Sequence, residues 1–340
     1  MRKSLHSLVL TGMMTMAAFI YNAPTHAQHK IDWINPDIPY IEQRGFSLGV
    51  TMGFTDMWAD IGTKSVLDHY GNSNYYNKIG DNLRGMGSFF VRYTHVPGIS
   101  FRAGVGYGAL YATDEWNKDK GLKAKTIKDD SYQRYIRNLD AHTNVWEASL
   151  LFEMSPLRLS NWEFSKMAKS RFQPYILLGA AGFHFNPKGT MKDMVTGSSK
   201  VVELQPLHTE GQNFSAPDVV FPKNYSLWSY AAVGGIGFKF DVGKGLGLGL
   251  EYQLRYTFTD YLDDVSGKYI DPQYMDIGYM NQPGKAKQAQ SMADRSSEII
   301  PGYKHQPGEF RGNPDNNDMY SSVSVMFYWK IKKKKSPWWE

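Results

Sequence analysis

The stretch Gly45-Phe46-Ser47-Leu48-Gly49-Val50-Thr51-Met52-Gly53-Phe54-Thr55 decides the fold of this chain. Phe46, Leu48, Val50, Met52 and Phe54 fall on one face of an extended strand, and Ser47, Gly49, Thr51 and Gly53 on the other. Successive side chains of a strand point to opposite sides, so one face wants an apolar surrounding and the other small or polar neighbours. A soluble sandwich shows the same alternation as a barrel wall facing lipid. The start of the chain turns the choice toward the barrel.

Residues 1–27 read as a secretory signal peptide. Arg2 and Lys3 form its basic start, Leu8–Ile20 its apolar stretch and Thr25-His26-Ala27 its small-residue exit, with Gln28 as the new N-terminus. The apolar stretch is too short to span a bilayer comfortably as a helix, and no other run approaches about 18 uncharged apolar residues. A helical membrane protein is excluded. An exported chain with alternating strands reads as an outer-membrane β-barrel.

Composition agrees. The chain has no cysteine, which rules out disulfides, a thiolate nucleophile, a zinc–thiolate site and an acylated-Cys anchor. A closed, hydrogen-bonded barrel supplies the missing rigidity. The formal charge of +5 includes Arg2 and Lys3, so removing the signal leaves 5 − 2 = +3, too little to argue for nucleic acid. Mean hydropathy is −0.46, normal for a barrel in which only alternate residues meet lipid. Phe, Trp and Tyr make up 14% of the chain, enough for aromatic girdles at two membrane interfaces.

The pattern recurs through eight strands. Residues 28–44, with Pro36 and Pro39, form a periplasmic lead-in. The barrel then covers 45–330, with strands at 45–55, 86–96, 101–111, 142–154, 172–185, 227–240, 246–259 and 319–330. Residues 331–340 form a basic tail. Links after the first, third, fifth and seventh strands are long; those after the second and sixth are short. Outer-membrane barrels keep short turns in the periplasm and long loops outside, so both termini are expected in the periplasm. The expected fold is an all-β, eight-stranded antiparallel transmembrane barrel with long extracellular loops.

An eight-stranded barrel has a lumen just wide enough for side chains to fill. Inward positions carry Arg92, Arg102, Glu147, Glu153, Lys239, Glu251 and Arg255. Buried charges destabilise a fold unless paired, so these read as structural ion pairs rather than a selectivity lining or proton path. Arg102 and Glu153, at the same end of neighbouring strands, are expected to pair. The inward glycines leave room for the large charged side chains.

Catalytic signatures are weak. No G-x-S-x-G elbow is present, and His95, His142, His184, His208 and His305 are scattered without an H-x-x-x-H pair. Asp260, Asp263, Asp264 and the run Asp315-Asn316-Asn317-Asp318 offer calcium-type oxygens but no full calcium-loop spacing. They read as turns. Neither enzyme activity nor a cofactor is expected.

Three segments carry a family resemblance. They are Pro174-Tyr175-Ile176-Leu177-Leu178-Gly179-Ala180-Ala181-Gly182-Phe183-His184-Phe185-Asn186-Pro187, Thr259-Asp260-Tyr261-Leu262-Asp263-Asp264-Val265-Ser266-Gly267-Lys268-Tyr269 and Arg311-Gly312-Asn313-Pro314-Asp315-Asn316-Asn317-Asp318. Together they resemble the small outer-membrane barrels of Bacteroidota grouped with PorG, a component of the type IX secretion system. The resemblance covers about 45–329, with T-D-Y-L-D-D-V-S-G its most specific part. It implies a non-enzymatic barrel, set in outer-membrane lipid, that helps hold the periplasmic PorK–PorN ring at the membrane. This chain departs from the pattern in longer loops after the fifth and seventh strands and in its tail past Lys330.

Two segments expected in the periplasm are candidates for partner contact. In 155–171, Trp162, Phe164 and Met167 share one side of a short helix, or else anchor at the membrane interface. Lys332, Lys333, Lys334 and Lys335 suit an acidic partner or lipid phosphates, or else plain solvation. Three functions stay open: a secretion scaffold, an OmpA-like or adhesin-like surface barrel that binds through its loops, and an outer-membrane enzyme or narrow channel.

Overall fold

Strand β1 (Gly45–Trp58) pairs with β2 (Arg84–Val96) on one side and with β9 (Met319–Lys330) on the other. From β2 the wall runs through β3 (Ile99–Thr113) and β4 (Asp140–Met154) to β5 (Phe172–Lys192). From β5 it returns through β7 (Trp228–Gly243) and β8 (Leu246–Thr257) to β9. Every pairing is antiparallel, and the β4–β5 and β1–β9 contacts close the ring. The expected eight-stranded barrel is what the chain forms. The structure is a computed structural model that describes residues 44–64, 69, 73–77, 79–159, 171–192, 196–217 and 219–331. The signal peptide, nearly all of the lead-in, Trp162, Phe164, Met167 and Lys332 through Lys335 lie outside the described residues.

A ninth strand, β6 (Ser199–Glu203), stands outside the ring and pairs with the far end of β5 at Lys188–Lys192. Strand β5 therefore runs seven residues beyond the end expected at Phe185. The extension is held by packing, not by lipid. Val202 and Leu204 join a small core with Met275 of helix α2 (Pro272–Gly278) and Ala286, Ala289 and Met292 of helix α3 (Pro283–Ala293). The long links are thus folded rather than irregular.

Two tight turns close the opposite end. Gly98 takes φ +92° between β2 and β3, and a Cβ there would come within 3.0 Å of the Ser155 carbonyl. Between β7 and β8, Gly243, Lys244 and Gly245 all take positive φ, and Asp241 accepts a hydrogen bond from the Gly243 amide at 2.7 Å. After β4, Pro156–Leu159 makes one helical turn.

The outer surface is apolar and exposed. Leu150 is 70% accessible, and Val105, Ile236, Leu250, Val323 and Val325 share that middle zone. Exposed aromatics flank it: Trp146, Trp228 and Tyr230 toward the long loops, Phe46, Phe101, Phe240 and Trp329 toward the short turns. So continuous an apolar belt does not suit water, whereas a lipid-facing band between aromatic girdles has this form. No helix among the described residues is long and apolar enough to cross a membrane. The chain crosses with strands.

Candidate functional site: the lumen plug and the long-loop cap

The β2–β3 register sets Arg92 directly opposite Arg102, both pointing inward. Two adjacent guanidiniums in a lumen need negative charge between them. Glu153 of β4 supplies it, pairing with Arg92 at 3.0 Å, with Arg102, and with Lys239 of β7 at 2.6 Å. Arg102 also grips Glu251 of β8 with two nitrogens, at 3.0 and 2.7 Å. Tyr175 and Gln253 donate to the same carboxylate. The ring of Tyr328 lies 4.4 Å from the Arg92 guanidinium, and Tyr175 lies 4.4 Å from the Lys239 ammonium, adding cation–π attraction in a dry setting.

A second layer sits nearer the long loops. Arg255 meets Glu147 at 3.0 and 3.3 Å and donates to Ser322 at 2.6 Å, while Tyr320 donates to Glu147 at 2.7 Å. The structure thus brings all seven expected lumen residues into two linked clusters. Arg92 is 2% and Glu153 1% accessible. Between the layers remains a cavity of about 20 Å³, room for about one water. Phe90, Leu151, Leu177 and Tyr328 fill the lumen on one side, Leu110, Phe183 and Phe185 on the other.

Tyr175, Tyr320 and Tyr328 belong to this plug, and reading the charges alone passed over them. Their signal lay in the inward glycines: a Cβ on Gly247 would stand 2.3 Å from the Tyr328 ring, and one on Gly237 2.6 Å from Tyr175. Glycine leaves room here for aromatic rings as well as for charged chains.

Over the long-loop mouth lies a cap built around Thr259–Gly267. Leu262 and Val265 are fully buried and pack with Met57, Leu110, Val145 and Tyr320. Carboxylates hold the loops to one another. Asp263 accepts from the amides of Ile61 and Val265 at 2.6 and 2.9 Å, Asp318 from Leu262 at 2.8 Å, and Asp60 from Asn313 at 2.7 Å. Asp114 accepts from the amides of Gly62 and Leu139 and pairs at 2.7 Å with Arg137 of helix α1 (Asp130–Arg137). Glu210 accepts from Ser266 and Gly267 and pairs with Arg311, each at 3.0 Å. Asp264 accepts from Tyr225 at 2.6 Å, and the Tyr225 ring stacks on Tyr261 at 4.4 Å.

Crowding these acids together changes their ionisation. Burial pushes the Asp260 carboxyl up to about 9 and that of Asp263 up to about 8, with neighbouring Asp60 adding to both. Burial lifts Asp264 to about 6 although Arg311 draws it down. Among the described residues, no group of three or more His, Asp or Glu is arranged to hold a metal ion. Of the acids singled out as calcium-type oxygens, Asp263 and Asp318 accept from loop amides and Asp264 accepts from the hydroxyls of Tyr225 and Thr209.

Beside the cap opens a cleft of about 740 Å³. Its floor is one row across three paired strands, Trp58 opposite Met319 and Met319 opposite Tyr256. All three point outward, because Met57, Tyr320 and Arg255 beside them are buried inward. Its upper walls are polar, from Gln133 and Arg134 of α1 and from Asn313, Asn316 and Asn317.

No family model and no curated protein matches the chain. Among solved structures it is similar to Neisserial surface protein A, at 10% identity over 84% of this chain and 97% of the other, with a TM-score of 0.33. It is similar to Ail of Yersinia pestis, solved with the heparin analogue sucrose octasulfate, at 8% identity, 84% and 100% coverage and a TM-score of 0.32. A major outer membrane protein of Thermus thermophilus aligns at 12% identity, 84% and 100% coverage and a TM-score of 0.35. At these identities and TM-scores the likenesses carry no argument about this chain.

Proposed function

We propose that this protein is a non-enzymatic, non-conducting outer-membrane barrel that works by contact. The observation that carries this reading is the filled lumen: two salt-bridged layers, aromatic packing above and below, and a gap of about 20 Å³ between them. A wall so plugged is a rigid anchor, and an aqueous channel needs about twice as many strands. With short turns in the periplasm and long loops outside, the ordered cap is the face offered to the surroundings. The lumen charges are held in ion pairs, and Asp263 and Asp318 are held by loop amides, which supports the non-enzymatic reading.

The resemblance to PorG-type barrels supplies the partner. On that reading the barrel is a type IX secretion subunit whose short-turn end, with Trp162, Phe164 and Lys332 through Lys335, meets ring proteins of the PorK and PorN kind. The cleft beside the cap favours a second reading, a surface barrel that binds through its loops and has no secretion role. Lysine-reactive crosslinking on native outer membranes separates them. Links from Lys332–Lys335 to ring proteins support the secretion scaffold. Links that run only from loop lysines such as Lys120 or Lys287 to surface components support the second reading and overturn the first.

A further inference from the structure

We infer that the cleft beside the cap is a binding site for the sugar head of a lipid in the surrounding leaflet. The inference rests on the membrane reading of the barrel and deepens the surface-binding one. Its first support is position. Trp58, Met319 and Tyr256 form a row on the outer wall; in the next row Asp56 and the buried Ser321 interrupt the apolar surface on two strands, while along β8 it runs on from Tyr256 through Leu254 and Tyr252 to the exposed Leu250. The cleft floor is therefore continuous with the lipid-facing belt. A molecule seated there keeps its acyl chains against the wall while its head reaches the polar walls above.

The second support is the chemistry of those walls. The charged side chains lining the cleft balance: Lys64, Arg134, Arg137 and Arg311 against Asp60, Asp130, Asp315 and Asp318. Most are already paired within the protein. Arg134 pairs with Asp130 at 2.9 Å, Arg137 with Asp114, and Arg311 with Glu210. An anionic head thus finds little net attraction, nor does a cationic one. Asn316 and Asn317 each present a donor and an acceptor on one planar amide, which matches a pair of neighbouring hydroxyls, while the Gln133 amide donates to the Ile127 carbonyl and the Asn313 side-chain oxygen accepts from the Asp315 amide. One flat apolar face completes the set: Phe310 is 71% exposed at the rim, with the Lys268 ammonium 5.0 Å from its ring. Balanced charge, amide forks and a ring face suit an uncharged saccharide.

The test uses the whole protein in nanodiscs of dioleoylphosphatidylcholine. Digalactosyldiacylglycerol is titrated into the bilayer, and backbone hydrogen exchange is followed across 311–319. The expected result is slowed exchange that saturates with glycolipid. The double variant Asn316→Ala, Asn317→Ala should shift half-saturation about tenfold, the loss of roughly two modest hydrogen bonds. Equal protection by dioleoylphosphatidylglycerol overturns saccharide recognition. Equal protection by free galactobiose, without the lipid, overturns the lipid as source. A chain that inserts but shows no protection overturns this inference alone. A chain that never enters the nanodisc overturns the membrane reading and this inference with it.

Discussion

Arg92 and Arg102 stand opposite each other across β2 and β3, two buried cations in register, and the single carboxylate of Glu153 bridges both. A third cation, Lys239, meets the same carboxylate. Glu153→Gln keeps the shape but removes the carboxylate that three buried cations share. Removing one partner of a buried pair costs about 3–5 kcal/mol, most of it the penalty on the charge left behind. Urea unfolding of the refolded barrel should show that loss. Adding Arg92→Met to Glu153→Gln should recover part of it. If Glu153→Gln unfolds at the wild-type urea concentration, the plug does not stabilise the wall.

Gly247 carries a second prediction. Its missing Cβ is filled by Tyr328, whose ring would lie 2.3 Å from an added methyl. Because Tyr328 is also wedged against Arg92, it has little freedom to move. Gly247→Ala should cost about 1–3 kcal/mol, the usual penalty of overpacking. Shortening the neighbour with Tyr328→Leu should shrink the cost of the alanine, a coupling that a double-mutant cycle reads directly. Independent, additive effects would mean that the glycine is not there for the ring.

Much of the wall was legible in the sequence. Strand β9 spans Met319–Lys330, where the alternation runs, and Arg102 could be matched to Glu153 because both sit near the same end of paired strands. Strand β5 was harder, since Ile176, Leu177 and Leu178 are apolar on both sides. Leu178 faces outward while Leu177 packs in the lumen with Tyr175 and Val233, so the contrast that alternation relies on disappears. The cap was not legible at all. Asp263 binds the amide of Ile61 across 202 residues, and Asp60 binds that of Asn313 across 253. No local period encodes such contacts, and Asp263, Asp264 and Asp318, which read as turn formers, are buried acceptors.

Asp114 tests whether the cap and the wall are separable. It joins the first long loop to the second through the Gly62 amide, and it holds Arg137, which reaches on to the Arg311 carbonyl at 2.6 Å. Asp114→Ala breaks a buried pair and orphans two amides, a loss of about 3–5 kcal/mol that falls on loop contacts. Limited proteolysis should then cut faster in 59–64 and 310–318 than it does in the wild type. The barrel itself should keep its heat-modifiable migration in dodecyl sulfate gels. Cleavage together with loss of that migration would show that cap and wall fold as one unit.

The cap should also loosen as pH rises. Burial, with Asp60 close by, pushes the carboxyls of Asp260 and Asp263 up to about 9 and about 8 in the folded protein, against an ordinary value of 3.8. Between those limits the folded cap holds protons that the opened loops release, so stability falls with increasing pH. The contribution is complete below about pH 4 and is lost as pH passes through about 8 to 9. Asp294 has the opposite sign: although buried, it is held down to about 2 by hydrogen bonds from His305 and Ser296. Its contribution fades only as pH falls below the ordinary carboxyl range and leaves the alkaline window unaffected. Exchange protection of the Ile61, Leu262 and Val265 amides, corrected for intrinsic rates, should therefore be lower near about pH 9 than near about pH 6. Asp260→Asn removes the higher-titrating of the two groups and should flatten the slope. Protection that stays level in the wild type, or rises, would mean that these carboxyls are ionised and solvated in the folded cap.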